Sequence, residues 1–149
     1  SEIYDKVFWI VDYDVIERES RECKIGEEKR SNEFVRYYAE TSKIKNVEII
    51  VVNTCFEYWL LLHFKYSKKQ FSDCDETQND LRKVFPSYEK NEKFYKQSNN
   101  IYKQLKDKLP KAIENASKLG NFDIENPLTP ICEIHKLFNA DGSFNTNLK

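Results

Sequence analysis

Two aspartates one residue apart, Asp12 and Asp14, close the run Val7-Phe8-Trp9-Ile10-Val11-Asp12-Tyr13-Asp14. Carboxylate oxygens are the preferred ligands of hard divalent cations, and Mg²⁺ or Mn²⁺ held by a few of them keeps open positions for substrate oxygens. Side chains two apart on an extended strand point the same way. The pair would therefore converge at the carboxyl end of the strand, where open α/β sheets place their ligands. A plainer use stands beside this one, because aspartates also follow strands to form turns and cap helices. Glu57 and His63 are the other residues with chemistry to offer. Glu57 should lie in the first turn of a helix that follows a second strand, near where Asp12 and Asp14 project, so three carboxylates could gather. Equally, Thr54 with Glu57 matches a capping box, which accounts for the glutamate without a ligand. His63 lies about 120° around a helix from Glu57. It is a candidate general acid or base, and equally a hydrogen-bonded core residue in the setting Leu61-Leu62-His63-Phe64.

The formal charge of −1 is unevenly spread along the chain. Residues 1–33 hold six Lys/Arg against ten Asp/Glu, whereas residues 86–118 hold eight against four. Lys90, Lys93 and Lys96, followed by Lys103, Lys106, Lys108 and Lys111, are interleaved with Tyr88, Tyr95 and Tyr102. Such a segment can track a phosphate backbone and stack on bases, or it can be a solvated helix face.

The elements that must position these residues follow from periodicity. Residues 7–11 read as a strand buried on both faces, as in a parallel sheet. Residues 15–30 are a dense charged stretch, either a loop or a short exposed helix. Residues 27–42 read as a helix with Phe34, Val35, Tyr37 and Tyr38 towards the core, and residues 47–52 as a second buried strand. Together they make a right-handed βαβ unit. The capping box predicts a helix from Thr54, buried almost all round. Beyond it the spacing predicts a short helix over 77–85 stopped by Pro86, a long helix with Phe94, Ile101, Leu105 and Leu109 in a stripe, and a helix opened by Pro110 and ended by Gly120. A last helix is expected from Thr129-Pro130 through Ile131, Ile134, Leu137 and Phe138. Two parallel strands make a marginal sheet, so another strand is expected from an upstream segment or from a second chain.

A chain of 149 residues fits one domain, with 1–65 the α/β part and 66–149 largely helical. The 40% hydrophobic and 14% aromatic content excludes disorder, and three glycines and four prolines exclude fibrous classes. Three glycines also leave no phosphate-binding loop of the nucleotide-hydrolase kind. No stretch approaches the roughly 18 apolar residues of a membrane span, and no secretory leader is visible, so a soluble cytoplasmic protein is expected. The four cysteines show no Cys-x-x-Cys pair, which speaks against a structural zinc site and for reduced thiols, with Cys55 and Cys132 as small core residues.

Taken together, residues 7–14, the block Asn53-Thr54-Cys55-Phe56-Glu57-Tyr58-Trp59-Leu60-Leu61-Leu62-His63-Phe64, Tyr88-Glu89-Lys90, Ala112-Ile113 with Ala116, and Asn126-Pro127-Leu128-Thr129 resemble the RloB family. The resemblance covers most of the chain, and the Phe-Glu-x-Trp-Leu-Leu-Leu-His block is its specific part. It implies a Toprim-like parallel sheet whose metal site joins an Asp-x-Asp motif to a glutamate from the first strand. It further implies a nuclease acting on DNA or RNA phosphodiesters with Mg²⁺ or Mn²⁺, in bacterial anti-phage defence or abortive infection. Asp12 and Asp14 become metal ligands, Glu57 and His63 motif residues near the site, and Lys90, Lys93 and Lys96 substrate contacts. Two departures stand out: Val52-Asn53-Thr54 replaces the family's Ser-Asn-Pro, and the Glu-Gly-x-x-Thr-Glu segment is expected upstream of Ser1. An open sheet edge would favour a homodimer. The competing expectation is a sensor or regulatory subunit whose Toprim-like core no longer cuts.

Overall fold

The computed structural model describes residues 5–146. Its centre is a mixed three-stranded sheet in the order β1 (Val7–Asp12), β2 (Val47–Asn53), β3 (Ile131–Cys132). β1 runs parallel to β2 with Val7 opposite Val47 and Asp12 opposite Val52. The crossover between them consists of two helices, α1 (Tyr13–Glu22) and α2 (Arg30–Thr41). Alternation along β2 divides the core: Ile49 and Val51 pack with Phe34, Tyr13 and Val11 beneath α1 and α2, while Ile50 and Val52 face Tyr58, Leu61 and Leu81 on the other side.

β2 is thus buried on both faces, as its apolar run predicts. β1 is not: Val11 is buried, but Ile10 is 52% exposed. The difference is positional, since β1 lies at the sheet edge: Trp9 and Val11 pack on one core cluster and Phe8 on the other, but Ile10 stays half exposed. The third strand comes from within the chain. Cys132 pairs with Val52 and Ile131 with Asn53, antiparallel, where the apolar spacing suggests a helix. After this two-residue strand only a 3-10 turn over Glu133–Leu137 forms. Glu133 explains the change. Its buried carboxylate accepts hydrogen bonds from the backbone of Val51 (3.1 Å) and Phe122 (3.3 Å) and an ion pair from Lys136, so it completes the β2 edge beyond the last strand pair.

The helical half also departs from the simple periodic reading. α4 (Cys74–Val84) begins three residues earlier than predicted, because the Asp73 side chain caps it by accepting from the Glu76 amide at 2.9 Å. The long stripe of 94–109 is broken into α5 (Glu92–Lys96), α6 (Ile101–Leu105) and a 3-10 turn. Asn91 and Asn100 each cap a new start, accepting from Phe94 and Lys103. α7 (Leu109–Ser117) carries Pro110 in its first turn, as predicted. Gly120, just past it, has φ +85°, a conformation a side chain would strain. No helix among the described residues is long and apolar enough to cross a membrane.

Candidate active site

The chain leaves β1 at Asp12 and turns at once into α1, so Asp14 sits in the first turn of a helix and not on the strand. The two carboxylates therefore come within electrostatic reach of each other at a strand-to-helix junction, not through the two-residue alternation of a strand. β2 ends alongside, and the Asn53–Thr54 peptide there is cis. The Asp14 amide donates to the Thr54 carbonyl (3.1 Å), tying the two strand ends together. α3 (Phe56–Leu62) follows at once. Its N-cap is Cys55, with no side-chain cap, so the capping box does not form. The Thr54 hydroxyl instead pairs with Thr77 of α4 at 2.6 Å. Released from capping, Glu57 turns inward: its carboxylate is almost fully buried, accepts from the Tyr88 hydroxyl at 2.9 Å and pairs with Lys90 Nζ at 3.0 Å. Tyr88 in turn bonds Tyr95, hydroxyl to hydroxyl, at 2.9 Å.

Asp12, Asp14, Glu57 and Lys90 form one electrostatic cluster. Burial raises the pKa of Asp12 to about 6; a hydrogen bond from the Phe56 amide opposes this, the Asp14 and Glu57 charges add to it, and Lys90 reduces it. Burial likewise raises Asp14, against Arg18 and Lys90 and with Glu57. Burial disfavours charge on Lys90, but Glu57, then Asp12 and Asp14, outweigh it and its pKa is raised. Beside the cluster a cleft of about 380 Å³ is lined by Asp14, Glu17, Arg21, Asn53, Thr54 and Ser72 among others. Asn53, on its wall, donates to the Thr129 carbonyl at 3.2 Å.

His63 lies apart from the acids. Its Nδ1 is 2.9 Å from the Trp59 carbonyl, and its ring packs edge-on against Trp59 with centroids 4.9 Å apart. Burial lowers its pKa, so the ring is neutral near pH 7, with Nδ1 the donor to that carbonyl. It faces an apolar cavity of about 180 Å³ that includes Phe56, Trp59, Leu105 and Phe138. The three candidate substrate lysines divide: Lys90 is drawn into the acid cluster, whereas Lys93 is exposed and Lys96 pairs with Glu92 on the exposed side of α5. Tyr88 is buried and Tyr95 partly so; of the three interleaved tyrosines only Tyr102 is exposed enough to stack on a base.

The cysteines differ from expectation. Cys55 and Cys74 form a disulfide that links the start of α3 to the start of α4, while Cys132 is a free, buried thiol. Among the described residues, Cys55, Glu57 and Cys74 offer ligand atoms all within 4.8 Å of one another.

A family model described as RloB-like protein matches residues 1–140 of the chain. No curated protein and no solved structure matches it.

Proposed function

From the premise that the chain belongs to the RloB-like family, we propose that it is a nuclease that cleaves nucleic-acid phosphodiesters with Mg²⁺ or Mn²⁺, working in the bacterial cytoplasm in defence against phage. The observation that carries this reading is the electrostatic coupling of Asp12 and Asp14, where β1 enters α1, with Glu57 and Lys90. The donor set suits a hard cation. Two neighbouring carboxylates, one with its pKa raised to about 6, hold negative charge in a partly dry site, and a divalent ion relieves that cost. Asp12 and Asp14 would hold the ion, which when bound lowers the pKa of coordinated water and neutralises charge on the reacting phosphate.

The remaining groups have roles that follow from their partners. Glu57, fixed by Tyr88, holds the Lys90 ammonium at the cluster, where it can neutralise a phosphate oxygen as charge develops. Arg21 on the cleft wall suits a neighbouring phosphate, and Lys93 and Lys96 extend the cationic track outward. His63, neutral and packed on Trp59, supplies no step in this scheme. β1 has no partner on its outer edge among the described residues. A Toprim-like sheet would be completed there by a further strand bearing a third acid, from an upstream segment or a second copy.

One observation favours a second reading. Lys90 already gives the acid cluster a cation of its own, which suits a sensor or regulatory subunit that does not cut. The two are separated by incubating the purified protein with Mn²⁺ and end-labelled single- and double-stranded DNA and RNA. Cleavage by the wild type that Asp12→Asn and Asp14→Asn abolish, with folding intact by circular dichroism, supports the nuclease. No cleavage of any substrate, or equal cleavage by the variants, refutes it.

A further inference from the structure

Cys55 and Cys74, which the proposed chemistry does not use, lie beside Glu57, with ligand atoms of all three within 4.8 Å of one another. Cys55 and Glu57 are nearly inaccessible, at 1% exposure each, and Glu57 Oε2 approaches Cys74 Sγ at 3.2 Å. A cation already stands among these donors: Lys90 Nζ is 3.0 Å from Glu57 Oε1 and 3.8 Å from Cys74 Sγ. Its side chain is 53% exposed and flexible, and can swing out to water. Two sulfurs and one carboxylate within mutual reach, beside a positive charge, make a donor set unlike the Asp12 and Asp14 pair. Hard ions prefer the all-oxygen pair, whereas thiolates select thiophilic ions.

We propose that Cys55 and Cys74 are a reversible dithiol pair that, once reduced, binds a thiophilic divalent cation, Zn²⁺, together with Glu57. The oxidised state is the disulfide that bridges α3 and α4. An external dithiol attacks through a mixed disulfide at Cys74, the more exposed sulfur. The Sγ–Sγ bond breaks, two electrons and two protons pass to the pair, and the reductant leaves as its own disulfide. Binding of Zn²⁺ then releases both thiol protons to solvent. Three protein ligands leave the fourth tetrahedral position to water, and Lys90 yields its place at Glu57 to the ion. The disulfide therefore closes this site and reduction opens it.

The test uses the whole chain, reduced with dithiothreitol and exchanged anaerobically, or oxidised, titrated with Zn²⁺ against a chromophoric chelator. Reduced wild type should bind one Zn²⁺ per chain more than oxidised wild type, whose only site is the aspartate pair. Cys74→Ser, Glu57→Gln and reduced protein alkylated with iodoacetamide should lose at least tenfold in affinity. Co²⁺ in place of Zn²⁺ should give thiolate-to-cobalt charge-transfer absorption that vanishes on alkylation. Asp12→Asn should still gain the one Zn²⁺ that appears on reduction. Loss of that Zn²⁺ in the variant would assign the ion to the aspartate pair and overturn this proposal while leaving the nuclease reading intact. Absence of a Zn²⁺ gained on reduction, or its survival after alkylation, would overturn it as well.

Discussion

Replacing Asp12 by asparagine should stabilise the protein at neutral pH and, on the proposed reading, abolish divalent-cation binding. Asp12 has its pKa raised from 3.8 to about 6, mainly by burial. The folded state thus holds a proton on this carboxyl that the unfolded chain has already released. Stability must fall as pH rises from about 4 to about 6, and stay lowered above that. A rise of about two pH units, at roughly 1.4 kcal/mol each, is worth at most about 3 kcal/mol, and solvent screening of a carboxyl that is only partly buried lowers this to about 1–2 kcal/mol. Asparagine is neutral throughout, and its carbonyl oxygen can still accept from the Phe56 amide. The Asp12→Asn variant should therefore exceed wild type by about 1–2 kcal/mol at pH 8, and differ little at pH 4. Urea unfolding at pH 4, 6 and 8, without divalent ions, measures the gap directly. Added Mn²⁺ should narrow it, by stabilising only the wild type. A variant less stable than wild type at pH 8, or a gap equal at pH 4 and pH 8, would refute the assignment of Asp12 as a destabilising carboxylate kept for its ligand.

Further outcomes follow from the same structure. Mn²⁺ affinity should be level above about pH 6 and fall about tenfold per pH unit below it, as protons compete for Asp12, read by calorimetry across pH. Glu57→Gln removes one of the charges that raise Asp12, so carboxyl ¹³C NMR should show Asp12 titrating at lower pH in that variant. Phe34, 2% exposed among the rings of Trp9, Tyr13, Tyr38 and Phe122, holds the α2 layer onto the sheet; Phe34→Ala should cost about 3–5 kcal/mol in urea unfolding. Lys93→Ala and Lys96→Ala should each reduce the slope of log affinity for an oligonucleotide against log salt by about 1 while cleavage remains. Lys90→Ala should lower the cleavage rate.

Much of the scaffold is legible from local pattern. β2 is found because its apolar, β-branched run serves two buried faces, and α2 because Phe34 and Tyr38 repeat at helical spacing. α1 is obscured by charge: Tyr13 and Ile16 are its core residues, and Arg18, Glu19, Arg21 and Glu22 are exposed. β3 is hidden for another reason. Its two residues sit in a run whose spacing fits a helix equally well, and only the distant partners Val52 and Asn53, with Glu133 on the Val51 amide, decide for a strand. At the site, the aspartates announce themselves, but Glu57 carries a local signal for capping that tertiary contacts override. Tyr88 and Lys90 claim its carboxylate from more than thirty residues away. Lys90 looks like any other surface lysine until its partner is known. The disulfide is likewise invisible to spacing, since only the fold brings the Cα atoms of Cys55 and Cys74 to 5.7 Å.

The central claim is that Asp12 and Asp14 hold a catalytic divalent cation. A crystal grown with Mn²⁺ and measured at the manganese absorption edge tests it most directly. Anomalous density at about 2.0–2.4 Å from oxygens of both carboxylates, absent from crystals of Asp14→Asn, is the predicted result. Density elsewhere, or none at saturating Mn²⁺ and pH 8, would contradict it.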